Sequence, residues 1–191
     1  MASLLIDSLR AFRPVPDEDN GPITDCFTER SFKEGDFLFE GNKPCNEMFF
    51  VNEGVLRIMS VNDKGVERTH YFYKEGQFCT ILPSFIDGST VAAGIRAACD
   101  AVVLSISRRQ LQGLYGKLPY MKDIVNEIFR QRLVEKVNIR NLYIGEDAGT
   151  QYKLFVAHQP DIALRVPLKD IASFLGITPQ SLSRIRRNMS R

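Results

Sequence analysis

The order of apolar and polar residues in the first half of the chain is typical of short β-strands. Between residues 32 and 107, aromatic and β-branched residues cluster in runs such as MFFV at 48–51, VLRIMSV at 55–61 and AVVLSI at 101–106. Glycine-containing turn sequences separate the runs, and residues 62–65 (NDKG) have the composition of a hairpin tip. Short strands with frequent turns predict an antiparallel sandwich or barrel rather than a parallel sheet.

After Pro119 the apolar period changes to that of a helix. As far as residue 144 there is no Gly or further Pro, and the apolar residues are Met121, Ile124, Val125, Ile128, Phe129, Leu133, Val137 and Leu142. A helix of about 25 residues is roughly 38 Å long at 1.5 Å per residue, which is more than one small β domain covers. We therefore expect part of the stripe to pack against a second copy of the chain, as in a homodimer. Alternatively, the helix packs only on its own β domain.

Shorter elements flank these two regions. The first residues, MASLLIDSLRAF, predict a short amphipathic helix with one apolar side, formed by Leu4, Leu5, Leu9 and Phe12. The sequence GEDAGT at 145–150 predicts a hinge-like break. After it we expect a helix near residues 151–158, a turn at Pro160 and Asp161, and two more short helices.

Residues 168–189 (LKDIASFLGITPQSLSRIRRNM) predict these last two helices and a tight turn between them. Gly176 stands where a helix end favours left-handed backbone. Thr178 is a suitable N-cap, and Pro179 fits the first helical position, where no backbone N–H is needed. Two short helices joined in this way predict a helix-turn-helix.

Each of these helices has a predicted inner and outer face. In the first helix, we expect an apolar inner face made of Leu168, Ile171, Ala172 and Leu175. Its outer face is expected to carry Lys169, Asp170 and Ser173. In the second helix, the predicted inner residues are Leu182, Ile185 and Met189. Its outer face is predicted to present Gln180, Ser181, Arg184, Arg187 and Asn188.

The outer face of the second helix has the chemistry of a DNA-reading surface. Arg184 can donate two parallel N–H bonds to guanine O6 and N7, worth about 1–3 kcal/mol of base discrimination. Gln180, one turn earlier, can read adenine or a neighbouring base. Thr178 and Ser181 can bond phosphate oxygens at the helix N-terminus, where the helix dipole also favours anions. Sequence-independent phosphate attraction is expected from Arg186, Arg187 and Arg191.

An alternative is a plain helical hairpin with a basic surface. In that case the β domain is a small-ligand sensor, and the tail contacts protein rather than DNA. The charge distribution favours DNA, because the overall charge of +2 is uneven. From Thr150 onward seven basic residues stand against two acidic ones, whereas the rest of the chain is net acidic. A basic tail on an acidic body favours a polyanionic partner, here double-stranded DNA.

Other protein classes find little support. The sequence contains no run of eighteen apolar residues, so it predicts no membrane span. The first residues are too charged for a signal peptide. We therefore expect a cytoplasmic protein with no membrane partner. The four cysteines, Cys26, Cys45, Cys79 and Cys99, form no close pair of the kind that metal and redox motifs need. Reduced thiols are therefore expected, and an iron–sulfur or thiol sensor stays open.

We do not expect an enzyme. The sequence has no P-loop, no G-x-G-x-x-G and no nucleophile–base motif. Only two histidines are present, His70 and His158, and they are too far apart in sequence to suggest the His-rich metal site of cupin enzymes. We expect His70 to be structural, with haem sensing as the alternative. No cofactor and no metal are predicted.

Taken in order, these parts resemble the Crp/Fnr family of transcription regulators. In the β region the resemblance rests on Gly35, Leu38, Phe39, Gly41, Val51, Gly54 and Leu56, spaced as in cyclic-nucleotide-binding domains. In the tail it rests on DIASFLGITPQSLSRIRR at 170–187. It implies an α+β fold: a jelly-roll-like antiparallel β-roll sensor domain (1–117), a long dimerisation helix (118–144) and a helix-turn-helix domain (145–191).

The resemblance also implies a function. Family members act as symmetric homodimers on palindromic promoter sites and contact RNA polymerase. The position matching Arg184 reads guanine, and the position matching Gln180 faces bases. Many members continue into a β-hairpin wing beyond the recognition helix. This sequence stops at Arg191, so we expect the wing to be missing or trimmed; the N-terminal cysteine cluster of oxygen-sensing members is absent from it as well.

The segment that binds cyclic nucleotides in the family departs from the family pattern here. Gly76 and Phe78 match its opening, but Thr80 and Ile81 occupy the Gly-Glu positions, and Val91 and Ala92 occupy the Arg-Ser positions. Without the arginine, a buried phosphate charge is uncompensated, so we predict that cyclic AMP does not bind in the usual way. Arg96 is nearby but aligns with a later strand position, and Lys136 and Val137 replace the residues that cap the base. A different, unidentified small effector remains open, with a candidate pocket formed by Phe78, Cys79, Thr80, Ile81, Val91, Ala92 and Lys136.

Overall fold

The structure is a computed structural model, and it describes residues 2–189. Within this range a β domain is followed by a long helix and a group of shorter helices. The strands are β1 (Thr28–Phe32), β2 (Phe37–Phe39), β3 (Lys43–Pro44), β4 (Glu47–Glu53), β5 (Leu56–Val61), β6 (Glu67–Tyr73), β7 (Phe78–Cys79), β8 (Thr90–Val91), β9 (Gly94–Ala97) and β10 (Ala101–Ser107). The α-helices are α1 (Ala2–Arg10), α2 (Asn20–Thr24), α3 (Leu82–Asp87), α4 (Arg108–Lys117), α5 (Tyr120–Tyr143), α6 (Ala148–His158), α7 (Pro160–Arg165), α8 (Leu168–Leu175) and α9 (Pro179–Met189).

The strands form two packed antiparallel sheets, as the strand pattern predicts. One sheet has the order β1-β10-β4-β7, the other has the order β2-β9-β5-β6, and β3 and β8 form a small separate pair. The hairpin between β5 and β6 turns at residues 62–65, where Gly65 has a φ of +75° and its N–H donates to Asn62 O at 2.9 Å. The predicted α+β class with an N-terminal β-roll is confirmed.

Strand β4 shows why its apolar run is continuous rather than alternating. Phe49 and Val51 point between the two sheets, where they meet Leu56, Ile58 and Tyr71 among others. Met48 and Phe50 point to the opposite face of the same sheet. That face is covered by α1, α4 and the first half of α5, so both sides of β4 are buried and both need apolar side chains.

Helix α5 has a buried first half and an exposed second half. Met121, Ile124, Val125 and Ile128 pack on the β-roll. Beyond them, large apolar side chains are exposed: Leu133, Val134, Val137, Leu142 and, at the helix end, Ile144. The helix has 24 residues, or about 36 Å at 1.5 Å per residue. Its predicted length is therefore confirmed, and pairing of its exposed half with a second copy stays a prediction.

The C-terminal helices share a core with the β-roll. Phe155 and Leu182 are fully buried, and they belong to one cluster with Val55, Phe72 and Ala98 of the β-roll. The ring centroids of Phe72 and Phe155 lie 6.1 Å apart. The helix-turn-helix therefore packs directly against the β-roll instead of being tethered by the hinge alone.

Two local predictions differ from the structure. Pro160 and Asp161 do not form an isolated turn but begin α7, because Pro at a first helical position costs no backbone hydrogen bond. Helix α6 begins at Ala148 rather than near residue 151, since Asp147 caps it by accepting from the N–H groups of Gly149 and Thr150. The N-terminal helix agrees with the prediction, with Leu5 and Leu9 buried.

The thiols of Cys26, Cys45, Cys79 and Cys99 are free, and residues 2–189 contain no cluster of His, Cys, Asp or Glu arranged to hold a metal ion. His70 lies on β6, where its Nε2 is 2.7 Å from Ser60 Oγ. Within residues 2–189, no helix combines the length and apolar character needed to span a bilayer.

Candidate nucleic-acid interface

The turn between α8 and α9 has the geometry that its sequence predicts. Gly176 ends α8 with a φ of +70°, in the left-handed region, and the N–H groups of Gly176 and Ile177 donate to Ala172 O. Thr178 Oγ1 accepts from the Ser181 N–H at 3.1 Å, which makes it the N-cap of α9. Pro179 is the first residue of α9. Local chemistry alone therefore fixes where α9 begins.

The inner face of α9 is held by one fully buried residue. Leu182 has no exposed surface and packs among Tyr152, Ile171 and Ala172. Ile185 is half-buried at the edge of the same cluster. Burial decreases along this face from Leu182 through Ile185 to Met189, which was predicted to be inside but has 45% of its surface exposed. The prediction for Met189 was wrong, because the apolar cluster around Leu182 does not include the end of α9.

The outer face of α9 is open to solvent. Gln180, Arg184, Arg187 and Asn188 are exposed, and their spacing puts them on one side of the helix. The guanidinium groups of Arg184 and Arg187 form no ion pair or hydrogen bond with any residue in 2–189. Ser181 is half-buried, and its Oγ accepts from the Thr178 hydroxyl at 3.0 Å. The two hydroxyls that we assigned to phosphate oxygens are thus engaged with the helix cap, while the two arginines are available.

The charge of α9 is uniformly positive. It contains Arg184, Arg186 and Arg187 and no acidic residue. Arg186 is exposed on the flank of the helix and has a contact of its own within the protein. Arg165, another cation of the basic tail, is paired with Glu75 of the β-roll, with Nη2 and Oε2 3.0 Å apart. Arg191 lies outside the described residues, so its predicted phosphate role has no geometry here.

Asp170 lies on the polar side of α8, but that side is buried instead of facing solvent as predicted. It was expected on the outer face, but it is 4% exposed and its Oδ1 is 3.4 Å from Arg57 Nη1 on β5. The polar face of α8 docks on strand β6: the Ser173 hydroxyl donates to Glu67 O at 2.9 Å and accepts from the Thr69 N–H at 2.8 Å. A face that is polar in sequence is therefore an interface, because the partner strand supplies matching polar groups.

Arg57 is the centre of this contact. Its guanidinium is 2% exposed and donates to Glu67 Oε2 at 2.7 Å and to Thr69 Oγ1 at 3.0 Å. Glu67 also accepts from Arg96 at 2.8 Å. Burial raises the pKa of Asp170, with the Arg57 charge opposing it. For Glu67, burial raises the pKa as well, but the bonds and charges of Arg57 and Arg96 outweigh it and the net pKa is lowered.

The predicted effector segment is closely packed. Phe78, Cys79, Thr80 and Ile81 are all buried, and burial raises the pKa of the Cys79 thiol. The Thr80 hydroxyl is already used, since it donates to Glu47 O at 2.8 Å. Between this segment and α5 only a small space of about 40 Å³ remains, which Phe78, Thr80 and Lys136 help to line.

The other half of the predicted pocket does not join that space. Val91 pairs with Lys43 in the β3–β8 ladder, and its carbonyl accepts from the Asn42 N–H at 2.6 Å. Ala92 follows it and is exposed. Arg96 is on β9, as the alignment implied, where it bonds Glu67 and the carbonyl of Gly35. Of the seven predicted residues, only Phe78, Thr80 and Lys136 line that small space, and Val91 and Ala92 provide no cationic side chain at the positions that match the family's Arg-Ser pair.

A larger cavity, of about 620 Å³, lies nearer to the helix-turn-helix. It shares Lys136 with the predicted set, but its other lining residues come from β5, β6, the end of α5, α6 and α8. The sequence pattern did not indicate it, because it depends on how α8 docks onto the β-roll.

Comparison with known proteins agrees with this architecture. Residues 29–117 match the family model for the cyclic nucleotide-binding domain. The transcriptional activator protein Anr of Pseudomonas aeruginosa is 21% identical over 167 residues, covering 82% of this chain and 68% of Anr.

Two solved structures show the same fold at low sequence identity. FixK2 of Bradyrhizobium japonicum matches with a TM-score of 0.74 at 18% identity, over 86% of this chain and 84% of FixK2. The c-di-GMP-responsive global regulator CLP of Xanthomonas campestris matches with a TM-score of 0.70 at 15% identity, over 92% of each chain. Residues 29–117 therefore form a cyclic nucleotide-binding domain, and the chain as a whole is similar in sequence to the regulator Anr and in fold to FixK2 and CLP.

Proposed function

We propose that this chain is a DNA-binding transcription regulator that acts as a homodimer on a palindromic promoter site. The observation that carries the proposal is the outer face of α9, where Gln180, Arg184 and Arg187 are exposed on a helix capped by Thr178. Arg184 is assigned to guanine and Gln180 to a neighbouring base. Thr178, Ser181, Arg186 and Arg187 are assigned to the phosphate backbone.

The salt dependence of binding tests whether the partner is DNA or protein. We expect the affinity for promoter DNA to fall steeply with salt, with a log–log slope of about −5 or steeper if the dimer neutralises about six phosphates at about −0.9 each. Fluorescence anisotropy at several salt concentrations measures this slope. Arg187→Ala removes one cation from each half-site and should reduce the slope by about 2 per dimer. A slope near zero contradicts the DNA assignment and favours a protein partner for the tail.

The homodimer is supported by the second half of α5. Leu133, Val134 and Val137 are 49–58% exposed and lie within about 100° of one another around α5, so they form an apolar stripe on a helix whose first half is buried. An apolar helical stripe of this kind is typical of a seam between two helices. Pairing α5 with its symmetry mate would cover the stripe and give two recognition helices for two half-sites.

A charge placed in this stripe should dissociate the dimer. We expect Val137→Glu to raise the dimer dissociation constant by about 100-fold, since pairing would bury two carboxylates without partners. Sedimentation equilibrium distinguishes one chain of 21.7 kDa from two. Asn126→Glu, on the exposed side of the first half of α5, is the matched control and should leave the mass unchanged. If Val137→Glu keeps the mass of a dimer, or if the unsubstituted protein is already a monomer, the proposed seam is wrong.

The remaining parts of the proposal follow the family organisation. Residues 1–117 form the sensor domain, 118–144 the dimerisation helix and 145–191 the DNA-binding domain, and the regulator contacts RNA polymerase in the cytoplasm. Cyclic AMP is not its effector in the usual mode. The packing of Thr80 and Ile81 and the absence of a cationic side chain at Val91 and Ala92 support that statement.

A further inference from the structure

The cavity of about 620 Å³ lies at the junction of the β-roll and the helix-turn-helix. Its floor is the face of β5 and β6, and its walls are the last turns of α5, the start of α6 and the end of α8. Its apolar lining residues are Ile58, Tyr71, Ile139, Tyr143, Phe174 and Leu175, with Ile144 at the end of α5. A volume of this size is in the range of small-molecule sites, and walls of this kind suit an apolar or aromatic body.

The charged residues of the lining are all cationic. Arg68, Lys136 and Arg140 line the cavity together with His70, and its lining contains no Asp or Glu. Within residues 2–189, none of the three cationic side-chain groups forms an ion pair or a hydrogen bond. The nearby carboxylate of Glu135 is paired with Arg132, and its charge does not outweigh the effect of burial on Lys136. Three cations are therefore gathered around one cavity whose lining contains no carboxylate.

Lys136 shows this imbalance most clearly. It is half-buried, and its Nζ lies 5.3 Å from the ring centroid of Tyr71 and 5.2 Å from that of Tyr73. Burial lowers the pKa of Lys136, so the protonated amine is disfavoured where it stands. An anion in the cavity would offset that cost, because it would supply the partner that the protein does not.

We propose that this cavity binds a small amphipathic anion: an apolar or aromatic molecule that carries a carboxylate, sulfonate or phosphate group. The acidic group contacts Arg68, Lys136 and Arg140, and the apolar body lies between Tyr71 and Phe174. The site is distinct from the phosphate-binding segment of the family, since Thr80, Ile81, Val91 and Ala92 do not line it. A bound ligand touches α8 through Phe174 and Leu175, so it would bias the DNA-reading part; that consequence rests on the proposed function.

Anilinonaphthalene sulfonate, a fluorescent aromatic anion, is a suitable probe for the full-length protein in the absence of DNA. We expect saturable binding, and we expect Arg68→Gln/Arg140→Gln to raise the dissociation constant by about tenfold, since hydrogen bonds to charged groups are lost. Both side chains are exposed, so the double variant should fold. Lys136→Met, a second variant with a similar apolar stem, should weaken the probe as well. Arg109→Gln, an exposed site on α4, is the matched control and should not change it.

Charge and location are tested separately. Phenylnaphthylamine has the same rings without the sulfonate, and its affinity should not respond to Arg68→Gln/Arg140→Gln. The chain has no tryptophan, so Ile144→Trp places a single energy-transfer donor at the cavity. Its emission should be quenched by the bound sulfonate more strongly than that of Ile86→Trp on α3. Equal quenching of the two reporters, or an unchanged dissociation constant in the charge variants, overturns the proposal.

Two further outcomes separate this proposal from others. If the unsubstituted dimer binds no probe while monomeric Val137→Glu does, a second copy of the chain covers the cavity and the proposal fails.

DNA affinity measured on the same samples separates the two functions. Probe binding without DNA binding supports the ligand site and contradicts the proposed function. DNA binding without probe binding supports the proposed function and contradicts the ligand site.

Discussion

Arg184→Ala is expected to reduce affinity for the specific DNA site by about 30-fold to 10⁴-fold. Each Arg184 is assigned a bidentate bond pair worth about 1–3 kcal/mol, and a dimer loses two of them. Because Arg184 is exposed and has no partner in the described part of the protein, its removal should not disturb the fold. The site is first selected from random DNA with the unsubstituted protein, and anisotropy then measures the affinity for that site and for its single-base variants.

The base preference is the decisive readout for Arg184. At one position in each half-site, the alanine variant should bind all four base pairs about equally. Arg184→Lys keeps the charge but not the planar fork, so it should recover non-specific affinity without recovering the preference. Arg187→Ala is the comparison on the same face, and it should weaken binding to all sequences alike. An alanine variant that still prefers the same base at every position would show that Arg184 does not read DNA.

The second large effect is expected from Arg57→Met, which should lower the free energy of unfolding by about 3–5 kcal/mol. Arg57 and Asp170 are both almost fully buried, and the substitution leaves the Asp170 carboxylate without its counter-charge. It also removes one of the two arginines that bond Glu67. Urea unfolding of the full-length protein, followed by circular dichroism, measures the change.

A matched double variant shows whether the stability lost in Arg57→Met comes from the uncompensated charge of Asp170 or from other lost contacts of Arg57. Arg57→Met/Asp170→Asn removes both members of the pair, and it should recover much of the lost stability, since Arg57 Nε is itself buried without a partner. Arg96→Met removes a more exposed arginine from the same cluster, so it should cost less. A double variant as unstable as Arg57→Met would show that the loss comes from packing rather than from charge.

The pH dependence of the Arg57→Met effect has a defined sign. Burial already raises the folded-state pKa of Asp170 above its ordinary value of 3.8, so the folded state holds that proton more tightly than the unfolded state. For such a carboxyl, stability falls as pH rises from the ordinary value through the raised one. Removing Arg57 enlarges the shift, because the Arg57 charge opposes it. The stability difference between Arg57→Met and the unsubstituted protein should therefore shrink as pH is lowered.

The helix-turn-helix was predictable because its signals are local. Gly176, Thr178 and Pro179 act through backbone conformation and hydrogen bonds within a few residues, so their roles do not depend on the rest of the fold. The turn between β5 and β6 was predictable for the same reason. Apolar spacing likewise predicted the long helix α5 to within a residue at each end.

What the sequence left open depends on contacts between distant segments. Asp170 has the pattern of a solvent-facing residue, and only the docking of α8 on β6 makes it a buried partner of Arg57. Met189 has the pattern of an inner residue, yet 45% of its surface is exposed. In both cases the hydrophobic period predicts which residues share a face of the helix, but it does not predict what packs against that face.

The same distinction applies to the two parts of the proposed regulator. By itself the sequence determined the elements of the proposed DNA-binding part: a β-roll, a long helix and a capped helix α9 that presents Arg184, each specified by periodicity or by bonds between near neighbours. Only the tertiary structure decided the proposed ligand site, because a cavity exists only between elements. It packed Thr80 and Ile81 where the family binds a nucleotide, and it gathered Arg68, Lys136 and Arg140 around a space beside α8. The sequence alone does not indicate that residues far apart in the chain will lie close together, so this cluster of charges is visible only in the folded protein.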